Sequence, residues 1–160
     1  MKTKFIAMTT DLHSGESYPI ESGPIAPAIL ASAAIPGLVV PVKMYGHTLI
    51  DGGMSNPVAV NEAQRFHPTI IIAVNLMNHV PKLSSTSSSG LEKRAFTISQ
   101  VNLAKLRSQQ ANIVINPQVS QYGILDVDDK YKIYKAGHDA AEKALPSILL
   151  LLKKHLIKRS

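Results

Sequence analysis

The sequence predicts an α/β fold, with a mixed or mostly parallel sheet flanked by helices, from two observations. TIIIAVNLM at 69–77 is a nearly continuous apolar, β-branched run, the pattern of a strand covered on both faces. Strand-like and helix-like segments also alternate along the chain, as in α/β proteins. At 160 residues, 45% of them hydrophobic and without internal repeat, the sequence reads as a single domain.

Each element has its own signal. KFIAMTT, 4–10, is short and β-friendly and reads as an interior strand ended by Asp11. His13 to Glu16 form a turn, from which SYPI at 17–20 returns as a second strand. From Pro24, small apolar residues recur at Ile25, Ala28, Ile29, Ala31 and Ala33, predicting a helix that Pro36 and Gly37 end. VVPVKMYGHTLID makes a hairpin around Gly46 that finishes at Asp51, and Pro41 marks its first strand as an edge. Asn56 as N-cap and Pro57 in the first turn predict a helix through Val58, Val60, Ala63 and Phe66.

Residues 78–90, NHVPKLSSTSSSG, are the one low-complexity stretch and predict a mobile surface loop, either a linker or a lid. The order Ser89-Gly90-Leu91-Glu92 is a capping box opening a polar helix to about Gln110, and NIVINP at 112–117 is a last strand. Asp126, Asp128 and Asp129 cap a helix through Tyr131, Ile133, Ala136, Ala140 and Ala144. Pro146 kinks or divides it from the amphipathic tail SILLLLKKHLIKR.

Composition excludes several chemistries. Without cysteine there is no disulfide, thiolate metal site or cysteine nucleophile, and His13, His47, His67, His79, His138 and His155 show no paired metal spacing. No phosphate loop is present, so no cofactor is expected. The net charge of +6 sits in the second half: residues 1–80 hold four Lys/Arg against five Asp/Glu, residues 81–160 thirteen against six. Spaced along helices, with one cluster at Lys153, Lys154, Lys158 and Arg159, these charges read as a solvated face or, second, as attraction to anionic headgroups. With 5% aromatics and no Trp, nucleic acid is not an expected partner. FIAM is too short for a signal peptide and Ile148–Leu152 too short to span a bilayer, so a cytoplasmic protein, at most peripheral to a membrane, is expected.

The candidate site is Asp51-Gly52-Gly53. A carboxylate after the apolar run TLI and before two glycines is delivered to a strand end on a tight turn, although Asp-Gly is also a common turn dipeptide with only a structural role. The serine signature Gly-x-Ser-x-Gly occurs nowhere, and Ser55, in GMSNP, has proline where the second glycine belongs.

TTDLHSGE at 9–16, ASAAIPG at 31–37, Pro41-Val42, Gly46 and IDGGMSNPV at 50–58 resemble the second half of a patatin-like phospholipase domain of the bacterial type. ANIVINP and YKAGHDAAEKALP resemble its closing strand and helix, so the likeness covers nearly the whole chain. The resemblance implies a three-layer α/β hydrolase of acyl lipid esters that uses a Ser-Asp dyad. Asp51 would be the proton acceptor and Ser32 structural. A carboxylate in a partly desolvated cleft is a usable base in principle.

The family's oxyanion loop and nucleophile elbow precede TTDL, so residues 1–160 are expected to be an N-terminally truncated domain, inactive alone. Such a fragment should expose apolar surface and an unpaired sheet edge, and so pair with a missing N-terminal half or with itself. The alternative is a non-catalytic interaction protein whose basic C-terminal helix meets a membrane surface or partner.

Overall fold

The structure, a computed structural model, describes residues 3–83, 85–123 and 126–157. Lys158 and Arg159 of the expected basic cluster lie outside the described residues. The chain is α/β, with antiparallel and parallel pairing both present, and it divides into two compact units, Met1–Ala59 and Val60–Ser160.

The first unit is a four-stranded antiparallel sheet with one helix. β1 (Ala7–Asp11) turns through Gly15 into β2 (Ser17–Ile20), and α1 (Ile25–Ser32) leads to the hairpin of β3 (Val42–Met44) and β4 (His47–Asp51). The strand order is β2-β1-β4-β3, so β3, which follows Pro41, is an edge strand as expected. β1 has both neighbours within this chain, against the expectation of an unpaired edge there. The reason is non-local: β4, some forty residues on, pairs with it in the register Thr9 to Asp51.

Alternation along the strands puts Ala7, Ile20 and Leu49 on one face. α1 lays Ala28 and Ala31 on them, and its small side chains let the helix approach closely. Its far face leaves Ile25, Ile29 and Leu30 exposed, so the expected apolar surface is present. The β3–β4 turn is two residues long, with Tyr45 at φ 51° and Gly46 at φ 80°. Positive φ at both central positions gives the turn the twist of the flanking strands, and glycine removes the strain at one of them.

In the second unit, α2 (Val60–Gln64) precedes a parallel pair, β5 (Ile72–Val74) and β6 (Ile113–Ile115), with α3 (Ser88–Ser108) between them in sequence. Fully buried β5 was expected, but only Ala73 is buried while Ile72 and Val74 are exposed. Apolar β-branched residues signal a strand; how many layers cover it is decided elsewhere. α3 starts two residues earlier than the expected capping box would have it: Ser87, not Ser89, is the N-cap, its hydroxyl accepting the Gly90 N–H at 3.2 Å.

α4 runs unbroken from Lys130 to Ile157 and packs on β6. Pro146 therefore does not divide it, because the turns on either side carry strong helix formers that hold the helix across the missing N–H. The carboxylate of Asp126 accepts the Asp129 N–H at 3.2 Å, in the turn that precedes α4.

Candidate functional site

Asp51 closes β4, and three backbone or side-chain contacts fix it. Its N–H donates to the Ala34 carbonyl at 3.0 Å, its carbonyl accepts the Thr10 hydroxyl at 3.0 Å, and its Oδ1 accepts the Gly53 N–H at 2.7 Å. The last contact makes Asp51 the N-cap of a single 3-10 turn, Gly52–Met54. Asp51, Gly52 and Gly53 are thus one structural unit, as the turn reading of Asp-Gly-Gly expects. Among the described residues no donor meets Oδ2.

Gly52 is buried against β1: a Cβ there would lie 2.3 Å from the Met8 carbonyl oxygen. Only glycine lets the turn fold back so closely, which is what keeps the Asp51 carboxylate at the strand end.

Asn56 departs from expectation. Its backbone N–H donates to the Gly52 carbonyl at 2.8 Å, closing the turn, but its side chain does not cap a helix. Both amide atoms are buried without a hydrogen-bond partner among the described residues, and α2 begins only at Val60.

Beside the turn lies a hydroxyl cluster. Ser55 Oγ meets Thr10 Oγ1 at 2.8 Å and Ser17 Oγ at 2.9 Å. Its partners are hydroxyls, not a carboxylate or imidazole, so nothing there draws its proton away as a nucleophile requires. Ser32 sits in the last turn of α1.

At the other end of the same strands is a pair that the sequence reading passed over. Asp11 Oδ2 meets His47 Nδ1, and Oδ1 accepts the N–H groups of His13 at 2.7 Å and Ser14 at 3.2 Å. The Tyr18 ring stacks on His47 with centroids 4.3 Å apart. The hydrogen bond from His47, then those from the two N–H groups, hold the Asp11 carboxyl below its ordinary range. His47 shows no metal or motif spacing to Asp11. Only the antiparallel register of β1 and β4, thirty-six residues apart in sequence, brings them together.

Within the second unit, an open polar cleft of about 730 Å³ lies at the C-terminal ends of β5 and β6, lined by Asn75, Asn78, Lys105 and Asn116 among others. At its rim His79 contacts Ser120 and, at 2.7 Å, the Asn78 side chain. His79 is exposed and is backed by an amide where a hydrolase would place a carboxylate, so the contact is a surface hydrogen bond. Among the described residues no three His, Asp or Glu side chains gather as a metal site. No described helix is long and apolar enough to cross a membrane.

Comparison with known proteins falls on the region of Asp51. Residues 3–63 match the family model described as Patatin-like phospholipase. Uncharacterized NTE family proteins of Mycobacterium bovis and Mycobacterium tuberculosis are each 38% identical over 72 residues, covering 45% of this chain and 20% of the relative. A second NTE family protein of Mycobacterium bovis is 26% identical over 171 residues, covering 88% of this chain and 28% of its own length. The chain therefore spans between a fifth and under a third of the relatives it matches. The family match takes in the whole antiparallel sheet and the Asp-Gly-Gly turn, so residues 3–63 are similar to patatin-like phospholipases.

Proposed function

We propose that this chain contributes the acid of a lipid acyl hydrolase: Asp51 is the proton acceptor of a Ser-Asp dyad acting on fatty-acyl esters, with the serine supplied by polypeptide outside these 160 residues. One observation carries the reading. The Asp51 carboxylate stands at a strand end on a turn held by Ala34, Gly52 and Gly53, with Oδ1 engaged and Oδ2 free to meet a hydroxyl.

In that role Oδ2 takes the serine proton as Oγ attacks the ester carbonyl, and returns it to the departing alcohol oxygen. Water then repeats the transfer to release the fatty acid and restore the serine. Positioned proton transfer of this kind contributes roughly 10²–10⁴-fold.

The test uses a fluorophosphonate serine probe and a short-chain ester, with the purified chain alone and with the chain joined to a patatin-like segment bearing Gly-x-Ser-x-Gly. The expected result is no labelling alone, turnover in the joined protein, and loss of that turnover by roughly 10²-fold or more in Asp51→Ala. Labelling of the chain alone, or a joined protein indifferent to Asp51→Ala, overturns the proposal.

A further inference from the structure

The polar cleft at the ends of β5 and β6 contains one hydrogen-bonding group that the fold leaves unused. Asn75, the residue after β5, lines the cleft and is only 3% exposed. Its N–H donates to the Ile115 carbonyl at 2.9 Å, its carbonyl accepts the Asn78 side-chain N–H at 3.3 Å, and its Oδ1 accepts the Met77 N–H at 3.0 Å. A backbone N–H requires an acceptor, so the remaining atom of the Asn75 amide is the nitrogen, a donor. Among the described residues Nδ2 meets no acceptor.

Buried polar groups are nearly always paired, and an unused donor in the wall of a cleft calls for an acceptor from outside the chain. The donor is also held in place. The Asn78 amide donates to the carbonyls of Asn75 at 3.3 Å and Pro117 at 2.6 Å, tying the segment after β5 to the segment after β6.

Charge gives the kind of acceptor. No Asp or Glu lines the cleft, and Lys105, near the end of α3, has an ammonium group without an ion-pair partner among the described residues. A lysine and a fixed amide donor in one cleft match a group with a single negative charge on two oxygens, a carboxylate. The rest of the lining describes the rest of the ligand. Gln109, Asn116 and Gln118 expose amides, which both donate and accept as hydroxyl groups require, whereas Val114 is the one apolar residue lining the cleft among the described residues. A fatty-acyl chain finds no apolar wall there. The volume of about 730 Å³ is ordinary for a small-molecule site, and ligands of α/β proteins collect at the carboxyl ends of parallel strands.

We propose that this cleft binds a small polyhydroxy carboxylate, Asn75 Nδ2 and Lys105 Nζ donating to the carboxylate oxygens and the exposed amides meeting the hydroxyls. The proposal does not rest on the role of Asp51, and binding is read without turnover, so each can fail alone.

The experiment is a titration of the full chain with sodium gluconate, followed by calorimetry and by the side-chain amide resonance of Asn75. Binding should saturate and move that resonance. It should be at least about tenfold weaker with sorbitol, which has the hydroxyls without the carboxylate, and with hexanoate, which has the carboxylate without the hydroxyls. Asn75→Asp keeps an oxygen for the Met77 N–H and replaces the donor by an acceptor, so it should weaken gluconate binding at least about tenfold. Lys105→Gln, at an exposed position, should do the same, and it decides the matter if circular dichroism shows that Asn75→Asp does not fold. Asp51→Ala should bind as wild type does. No saturable binding of gluconate by the wild-type chain up to about 10 mM overturns the proposal and leaves water as the partner of Asn75. So does sorbitol, hexanoate or inorganic phosphate binding as tightly as gluconate, or gluconate binding that a folded Asn75→Asp or Lys105→Gln leaves intact.

Discussion

The Asp51 N–H donates to the Ala34 carbonyl at 3.0 Å, tying the Asp-Gly-Gly turn to the segment that follows α1. The two motifs that stand out in the sequence, ASAAIPG and IDGGMSNP, are therefore one structural device. Small residues let α1 sit close on the sheet, and its C-terminal extension then reaches the end of β4.

Gly52 is the hinge of that device. Gly52→Ala forces a Cβ to 2.3 Å from the Met8 carbonyl oxygen, an overlap with backbone that must be relieved by moving the turn. We expect a loss of about 1–3 kcal/mol in urea denaturation. Gly53→Ala, whose Cβ would be 3.0 Å from a side-chain oxygen of Asp51 and from no backbone atom, should cost less. Equal losses would show that Gly52 is not the close contact.

Asn56 buries an amide whose oxygen and nitrogen have no partner among the described residues. Replacing such a group by an apolar one of similar shape removes a desolvation penalty. Asn56→Leu should therefore raise unfolding stability by about 1 kcal/mol. A destabilised variant would mean that the amide is satisfied in solution by a ligand or water.

Asp11 gives the first unit an acid limit. Because hydrogen bonds from His47 and from the His13 and Ser14 N–H groups lower its pKa in the folded state, its contribution is complete above the unfolded carboxylate value of about 3.9 and is lost as pH falls through the lower folded value. Stability should decline in that acid window, and Asp11→Asn should flatten the decline. An unchanged slope in acid denaturation of Asp11→Asn would remove Asp11 from the account.

Pro146 lies inside α4, where it cannot donate to the helix ladder. Pro146→Ala should restore that donor and raise stability by up to about 3 kcal/mol, seen as a higher denaturation midpoint with helical signal unchanged or increased.

Much of the first unit is legible locally. Turn residues placed the β1–β2 and β3–β4 turns, Pro24 and Pro36 bracketed α1, and Asp-Gly-Gly announced its turn, because these features depend on the φ and hydrogen-bonding habits of neighbouring residues. Helix starts were less readable where several hydroxyls compete, as at Ser87 and Ser89, since either can accept the first free N–H groups. The Asn56 side chain failed as a cap because the preceding turn, closed by the Asn56 N–H on Gly52, left no helix at that point for it to serve.

Strand identity, the Asp-Gly-Gly turn, the charge asymmetry and the family likeness all lie in the order of residues. Which strand lies beside β1, that Asp11 meets His47 and not solvent, and that α4 continues through Pro146 with most of its leucines exposed were settled only by the fold. The difference is physical: propensity and turn chemistry act over a few residues, whereas register and burial depend on which distant surface arrives to pair or cover.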